Sequence, residues 1–102
     1  ALDYEIERWD ATNAETSQIW VRIPSIPSSS EKRYIYMYYN NPAALDAQNK
    51  TGVWTSYWAV WHLNENPSGA APQYLDSTAN ARNGSTSPTP PTRIVGVIGD
   101  SA

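Results

Sequence analysis

The sequence predicts an all-β fold, an antiparallel β-sandwich or jelly-roll-like arrangement, and two observations lead to this class. Apolar and polar side chains alternate with a period of two in residues 2–9, 15–23 and 34–39, which is the pattern of half-buried strands. The connections between these stretches are too short for a crossover helix, so we expect an antiparallel meander. With 102 residues, the chain amounts to one domain or to a piece of a longer protein.

The first two stretches predict strands with one face toward the core. In the first stretch the acidic side chains share the face that is expected to be solvated, and they are Asp3, Glu5 and Glu7. In the second stretch Ile19, Val21 and Ile23 are expected to point inward. Trp20 then lies on the opposite, outward face.

The tyrosine segment, residues 34–39, has the clearest strand pattern of the chain. One face is predicted to be core, and it consists of Ile35, Met37 and Tyr39. The other face is a row of tyrosines, Tyr34, Tyr36 and Tyr38. The strand is expected to end at Asn40, Asn41 and Pro42, because proline cannot donate to a ladder and asparagine tolerates turn geometry.

The second half of the chain gives weaker signals. Residues 43–48 predict one helical turn or a loop, and residues 58–63 and 93–98 predict strands. Residues 85–92 are rich in Ser, Thr and Pro, as linkers are. Four aromatic residues are expected to pack where the two halves of the chain meet, and they are Trp54, Tyr57, Trp58 and Trp61.

The composition excludes several classes of protein. A net charge of −3 and a pI near 4.9 argue against binding to nucleic acid or to an anionic membrane surface. No apolar run approaches the roughly 18 residues that cross a bilayer, so no membrane insertion is expected. The absence of cysteine excludes disulfides, thiolate metal sites and a cysteine nucleophile.

A resemblance to two known families is carried by short stretches in each half. In the first half they are Leu2-Asp-Tyr-Glu-Ile-Glu7, Ile19-Trp-Val-Arg-Ile-Pro-Ser25 and Tyr34-Ile-Tyr-Met-Tyr-Tyr-Asn-Asn-Pro42, which resemble the latter part of DUF2341, a bacterial and archaeal domain of unknown function. In the second half they are Val60-Trp-His-Leu-Asn-Glu65, Asp76-Ser-Thr-Ala-Asn-Ala-Arg-Asn-Gly84 and Gly96-Val-Ile-Gly-Asp-Ser-Ala102, which resemble the opening of a LamG-like, concanavalin A-like jelly roll.

The resemblance implies an organisation into three parts. These are a DUF2341-like β meander over residues 1–42, a connecting segment over 43–58 and the start of a LamG-like jelly roll over 59–102, and the whole can pack as one compact unit. Such domains occur in tandem in large secreted or surface-attached prokaryotic proteins. The expected location is therefore extracellular or at the cell surface, and the expected partners are other domains of the same polypeptide or neighbouring subunits.

No catalytic constellation emerges from the sequence. A pair of carboxylates from the acidic set Asp3, Glu5, Glu7 and Asp10 suits glycoside hydrolysis only if burial raises the pKa of one, and a solvated strand edge is the simpler interpretation. His62 is the one histidine and no Gly-x-Ser-x-Gly elbow accompanies it, so we expect a packed or hydrogen-bonded side chain. We predict that the protein is not an enzyme and has no catalytic residues.

One polar loop offers a metal-ligand pattern. Asp76, Asn80 and Asn83 supply oxygens close together in the sequence, and calcium accepts six to eight oxygen ligands. The spacing lacks the order of an EF-hand, so a hydrogen-bonded turn is the alternative. Calcium is the one cofactor that the sequence indicates.

The aromatic side chains are the strongest binding signal. Sugar rings stack on the faces of Trp and Tyr, while nearby polar groups bind the hydroxyls. If the three predicted strands are neighbours, one face collects five rings, those of Trp9, Trp20, Tyr34, Tyr36 and Tyr38. This face is expected to bind a polysaccharide or another partner, unless a further sheet, domain or subunit covers it.

These observations favour a non-catalytic extracellular structural or adhesion module of a large prokaryotic surface or secreted protein, which presents a sheet face to a partner or carbohydrate. One alternative is a carbohydrate-binding module of a secreted glycoside hydrolase. Another is a filament or pilus subunit assembled by strand exchange.

Overall fold

Two short strands near the start of the chain pair antiparallel in the computed structural model, which describes residues 1–13, 16–28, 32–96 and 100–101. Strand β1 spans Tyr4–Arg8 and strand β2 spans Gln18–Val21. Ile6 lies opposite Ile19 in the antiparallel register. Both strands fall within the stretches whose alternation predicts them, so the first hairpin of the expected meander is confirmed.

Asp10 organises the connection between β1 and β2. Its Oδ1 accepts hydrogen bonds from the backbone N of Thr12 and Asn13, at 2.9 and 3.1 Å, and from Thr12 Oγ1 at 2.6 Å. Its Oδ2 accepts from Thr16 Oγ1 at 2.8 Å. These bonds, those from Thr12 above all, hold the pKa of Asp10 well below its ordinary value of 3.8. A charged turn therefore directs the chain back toward β2.

Helix α1 spans Lys50–Val53, and the residue that caps it also ties it to β1. Asn49 Oδ1 accepts a hydrogen bond from Gly52 N at 3.1 Å. Its Nδ2 donates to Asp3 Oδ1 at 2.8 Å, and its backbone N donates to Tyr4 O at 3.0 Å. A helix of one turn has almost no stability of its own, so these bonds to β1 hold it in place.

The loop before α1 ends against the outer edge of β1. Residues 43–48, which the sequence predicts as a helical turn or a loop, form a loop. Gln48 Oε1 accepts a hydrogen bond from Ile6 N at 2.6 Å, beside the bond that Asn49 donates to Tyr4. The chain itself thus covers the edge of β1 that does not face β2.

The face of the β1–β2 pair that carries Glu5, Glu7 and Trp20 is the covered one. Glu5 is 7% exposed, and Trp20 packs on Trp54 with the ring centroids 5.2 Å apart. The predicted solvated acidic face is therefore wrong for these carboxylates, and so is the outward position of Trp20. Ile23, expected to point inward, is exposed. The cause is that later parts of the chain fold over this face, which local alternation cannot reveal.

The tyrosine segment is not a strand in this structure. Residues 34–39 form no helix, turn or strand, and none of the described residues hydrogen-bonds to their backbone. Ile35, Met37 and Tyr39 are exposed, so their predicted place in the core is wrong, and so is the third strand of the meander. A strand needs a neighbour for its N–H and C=O groups, and the described residues supply none.

A single bridge, at Trp61, replaces the strand that the sequence predicts over residues 58–63, and a second bridge lies further along the chain. Trp61 forms one antiparallel bridge with Asp76, and Tyr74 forms another with Gly84. Tyr74 and Gly84 exchange two backbone hydrogen bonds of 3.0 and 2.8 Å. The predicted strand is therefore wrong in extent, because side-chain hydrogen bonds to loops take the place of a continuous ladder here.

A second antiparallel pair lies near the end of the chain. Strand β3 spans Ile94–Val95 and strand β4 spans Asp100–Ser101, with Ile94 opposite Ser101. β3 lies within the predicted strand over 93–98, of which residues 97–98 fall outside the described residues.

The described secondary structure, α1 apart, is strand and irregular chain, which agrees with the all-β class. β1–β2 and β3–β4 form separate two-stranded sheets, and their arrangement in a sandwich or jelly roll stays a prediction.

The Cα radius of gyration is 16.2 Å, whereas a compact domain of about 100 residues has about 13 Å. Within the described ranges, no helix has the length and apolar character that a membrane crossing requires.

We expect Asn49→Ala to lower the free energy of unfolding by about 1–2 kcal/mol, because it removes the cap of α1 and the amide that binds Asp3. Urea unfolding followed by tryptophan fluorescence measures this. Asn66→Ala is the matched control, since Asn66 Oδ1 accepts a local hydrogen bond from Ser68 N at 3.0 Å in an exposed turn. Equal stabilities of the two variants would contradict the role of Asn49.

Candidate functional site

Two carboxylates and a histidine meet under the covered face of β1 and β2. We call this set, with its hydrogen-bond partners, the carboxylate cluster, and its members are Glu5, Glu7, Trp20, Trp54, His62 and Ser77. β1 supplies both carboxylates and β2 supplies Trp20. The other members come from the chain that follows α1, so the cluster joins the first hairpin to the second half of the protein.

Glu5 is the centre of the carboxylate cluster. Its Oε1 accepts a hydrogen bond from Ser77 Oγ at 2.6 Å, and its Oε2 accepts one from Trp54 Nε1 at 2.5 Å. His62 Nε2 lies 3.1 Å from the same Oε2. A buried charge is costly unless hydrogen bonds compensate it, and Glu5 accepts them on both of its oxygens.

Glu7 reaches the same histidine from a neighbouring position on β1. The register of β1 and β2 shifts between Ile6 and Arg8, so Glu7 has no residue opposite it. Such bulges re-aim a side chain relative to the rest of its strand. Glu7 Oε2 accepts a hydrogen bond from Trp20 Nε1 at 2.6 Å and lies 3.2 Å from His62 Nδ1.

The His62 ring therefore lies between two carboxylates. Its Nε2 faces Glu5 at 3.1 Å and its Nδ1 faces Glu7 at 3.2 Å. Because a carboxylate only accepts, both contacts are hydrogen bonds when both ring nitrogens carry a proton. The prediction of a hydrogen-bonded histidine is confirmed, while its position between Glu5 and Glu7 is new information.

Aromatic rings close the carboxylate cluster on one side. The Trp54 ring lies 5.2 Å from the rings of both Trp20 and Tyr57, and it is perpendicular to Tyr57. The His62 ring stacks on Trp20 with centroids 6.1 Å apart and 25° between the planes. Tilted and edge-to-face pairs add stability beyond the area they bury, so these rings both shield the carboxylates and hold the cluster together.

The four aromatic residues that the sequence places at the junction of the two halves separate into two groups. Trp54 is buried there as expected, and Tyr57 packs edge-on against its ring while staying 56% exposed. Trp58 and Trp61 are exposed, and the Arg82 guanidinium lies 3.7 Å from the Trp58 ring centroid, within the range of a cation–π contact.

The surroundings of Glu5 keep its carboxylate ionised. Burial raises the pKa of Glu5, but hydrogen bonds from Ser77, Trp54 and His62 outweigh it, so the pKa lies below its ordinary value of 4.5. A general acid in glycoside hydrolysis needs the opposite shift. The lowered pKa therefore does not suit Glu5 to the role of a general acid.

A cavity of about 310 Å³ opens beside the carboxylate cluster. Its lining includes Trp20, Arg22, Trp54, Ser56 and Tyr57. Aromatic faces with a few convergent polar groups, in a volume from about 300 Å³ upward, are typical of small-ligand sites. Of the predicted binding residues, Trp20 is the one that the structure places at this cavity.

The five aromatic residues that the sequence assigns to one binding face do not share a sheet. Trp20 belongs to β2 and to the carboxylate cluster, and Trp9 is exposed just after β1. Tyr34, Tyr36 and Tyr38 are exposed on the tyrosine segment, which has no strand partner among the described residues. The single face is therefore wrong as a geometry, while the part of each residue in binding stays a prediction.

The Asp76 loop forms the hydrogen-bonded turn that the sequence offers as the alternative to a calcium site. Asp76 Oδ1 accepts from the backbone N of Val60 and Thr78 at 3.0 and 2.9 Å. Its Oδ2 accepts from Thr78 Oγ1 and from Arg82 N, both at 2.8 Å. Burial raises the pKa of Asp76, but these bonds outweigh it and keep the pKa well below its ordinary value of 3.8.

Asn80 and Asn83 also use their amides within this loop. Asn83 Oδ1 accepts a hydrogen bond from Asp76 N at 2.9 Å, and Asn80 Nδ2 donates to Trp58 O at 2.9 Å. A calcium ion would have to displace several of these bonds, so the loop does not fit the ion in this conformation. The described residues hold no group of three or more His, Asp or Glu side chains arranged for a metal, and calcium binding stays a prediction.

Sequence reasoning missed the carboxylate cluster as a unit. The sequence pattern places Glu5 and Glu7 on the solvated face, and it counts Ser77 only among the oxygen-bearing side chains of the Asp76 loop. The number of tryptophans could have pointed to the cluster, because each buried indole N–H needs an acceptor. Acidic residues on a predicted strand are natural acceptors, and here they accept from Trp20 and Trp54.

Comparison with protein families gives a match to the model of DUF2341, a domain of unknown function, over residues 1–69. The match covers more than half of the chain and includes β1, β2, α1 and His62. It extends beyond residue 42 and ends at residue 69, and the continuation into a LamG-like domain stays a prediction. No curated protein and no solved structure matches the chain significantly.

We expect Glu5→Gln to lower the free energy of unfolding by about 2–3 kcal/mol, because the amide loses the charge-assisted bonds and places an N–H against one of its donors. Urea unfolding measures the loss. Asp46→Asn is the control, since Asp46 is an exposed carboxylate that accepts a local bond from Gln48 N at 3.0 Å. A loss of unfolding free energy no larger than that of the control would contradict the central role of Glu5 in the fold.

We also expect stability to fall as the pH drops from about 5 to about 2, because folding lowers the pKa of both Glu5 and Asp76. The two carboxylates contribute fully to stability when the pH is above their ordinary pKa values of 4.5 and 3.8. This contribution is lost as the pH falls through their lower pKa values in the folded protein. Thermal unfolding followed by circular dichroism across this range measures it. In Glu5→Gln the unfolding midpoint should depend less on pH than in the wild type. A wild-type midpoint that does not change with pH would disprove the role of these carboxylates.

Proposed function

Because the chain belongs to the DUF2341 family, we propose from its own residues that it is a non-catalytic structural or adhesion module of a large prokaryotic surface or secreted protein. The module acts outside the cell and presents aromatic side chains to a partner. In the complete protein its strands belong to an antiparallel sandwich that continues into a LamG-like jelly roll.

The tyrosine segment is the observation that carries this proposal. Its six side chains are between 56 and 93% exposed, and all of them are large. Contiguous exposed surfaces of this kind mark interaction sites, whereas scattered apolar residues do not. Tyrosine suits an interface because its ring buries apolar area while its hydroxyl forms a hydrogen bond.

The carboxylate cluster supports the absence of catalysis in this proposal. Glu5 and Glu7 are the best-placed acids for chemistry, but their oxygens accept bonds from protein side chains. The Glu5 pKa is lowered, so the carboxyl is a poor proton donor near neutral pH. The cluster holds the fold together and leaves the exposed aromatic side chains for function.

A carbohydrate-binding module is the second candidate, and the cavity beside the carboxylate cluster favours it. The rings of Trp20 and Tyr57 and the polar groups of Arg22 and Ser56 line one space. Aromatic faces bind the apolar side of a sugar ring, and a guanidinium and a hydroxyl bind its hydroxyl groups. In this candidate the partner is a polysaccharide that binds at the cavity.

We expect Tyr38→Ser to weaken binding of the chain to isolated prokaryotic cell walls by about tenfold or more, because it removes an exposed ring of the tyrosine segment. Co-sedimentation with the walls measures the affinity. Ile26→Ser is the matched control, because Ile26 is also highly exposed but lies outside the segment. No wild-type binding, or equal binding by both variants, contradicts the proposed surface.

For the second candidate, we expect soluble polysaccharides such as xylan and cellulose oligomers to change the tryptophan fluorescence of the wild type. Tyr57→Ser should weaken this response by about tenfold, because the ring lines the cavity. Trp58→Ala is the control, since Trp58 is exposed and does not line the cavity. Hydrolysis of these glycans by the wild type, abolished by Glu5→Gln, would overturn the non-catalytic assignment.

A further inference from the structure

The tyrosine segment has the sequence pattern of a β-strand, but no strand among the described residues pairs with it. Its alternation and its β-favouring residues are those of a sheet, yet none of the described residues hydrogen-bonds to its backbone. Unpaired edges of this type are templates for another strand. We propose that the segment pairs antiparallel with the same segment of a second copy of this chain, an inference that rests on the proposed function and names the partner.

Residues 34–38 of the segment are self-complementary about Tyr36. Tyr34 and Tyr38 lie at equal distances from it, and so do Ile35 and Met37. In an antiparallel register with Tyr36 opposite Tyr36, Tyr34, Tyr36 and Tyr38 of both copies share one face, and Ile35 and Met37 share the other face with Tyr39. A closed two-fold interface requires a surface that is complementary to itself, and this segment meets the requirement.

The residues that flank the segment agree with the same register. Lys32 and Asn40 are also equidistant from Tyr36, so the antiparallel pair places the lysine of each copy opposite the asparagine of the other. A parallel pair in register places lysine beside lysine, which is destabilising. Asn40 has a φ of 64°, a left-handed conformation that a continuous strand would not contain.

The segment is accessible to a second copy, because its side chains are 56 to 93% exposed. Pairing also satisfies backbone groups that have no partner among the described residues.

The pairing is tested by the oligomeric state of the whole chain and of two opposite charge variants. Analytical ultracentrifugation from about 1 µM to about 1 mM should show a wild-type monomer–dimer equilibrium. Tyr36→Lys and Tyr36→Glu should each weaken the dimer at least tenfold, because like charges then lie directly opposite across the two-fold axis. An equal mixture of the two variants should restore a dimer, since lysine then faces glutamate.

Leu45→Lys is the control, because Leu45 is 91% exposed and lies outside the segment, and its dimer should match that of the wild type. Residue 36 is itself exposed, and unchanged circular dichroism checks that the variants remain folded. The proposal is overturned by a wild type that stays monomeric, by assemblies that grow without limit, or by a mixture that fails to form the dimer. A monomer that still binds cell walls through Tyr38 overturns the pairing and leaves the proposed function intact.

Discussion

The Glu5 carboxylate lies within hydrogen-bond distance of three side chains that are 49, 57 and 72 residues away along the chain, and the described fold depends on these contacts. They bring the segments after α1 onto the face of β1 and β2. Val53 and Trp54 are buried hydrophobic side chains at the same place. The centre of the protein is therefore an ionised group surrounded by donors, with apolar packing around it.

This arrangement explains why so much aromatic surface remains for other purposes. Buried tryptophans contribute their N–H groups to carboxylates, and Trp20 and Trp54 are used in this way. The rings of the tyrosine segment contribute nothing to the described core. The chain separates a structural set of aromatic residues from an exposed set, and the contacts proposed for the tyrosine segment concern the exposed set.

The sequence predicted the features that depend on neighbouring residues. β1 and β2 followed from alternation, and the Asp76 turn followed from the preference of Asp and Asn side chains for nearby backbone groups. The prediction failed where the outcome depends on distant residues. Trp54, His62 and Ser77 decide which face of β1 is covered. A neighbouring strand decides whether residues 34–39 form a strand. Neither outcome can be read from the local pattern.

The long separations around Glu5 have a consequence for synthesis of the protein. Contacts between distant residues form late, because a long loop must close first. The tyrosine segment leaves the ribosome before Ser77 does, and at about 5–20 residues per second the interval is roughly a few seconds. During that time a strongly β-prone sequence is exposed beside a hairpin that lacks its final contacts, and Lys32 at its start is the kind of charged flank that discourages aggregation of such nascent segments.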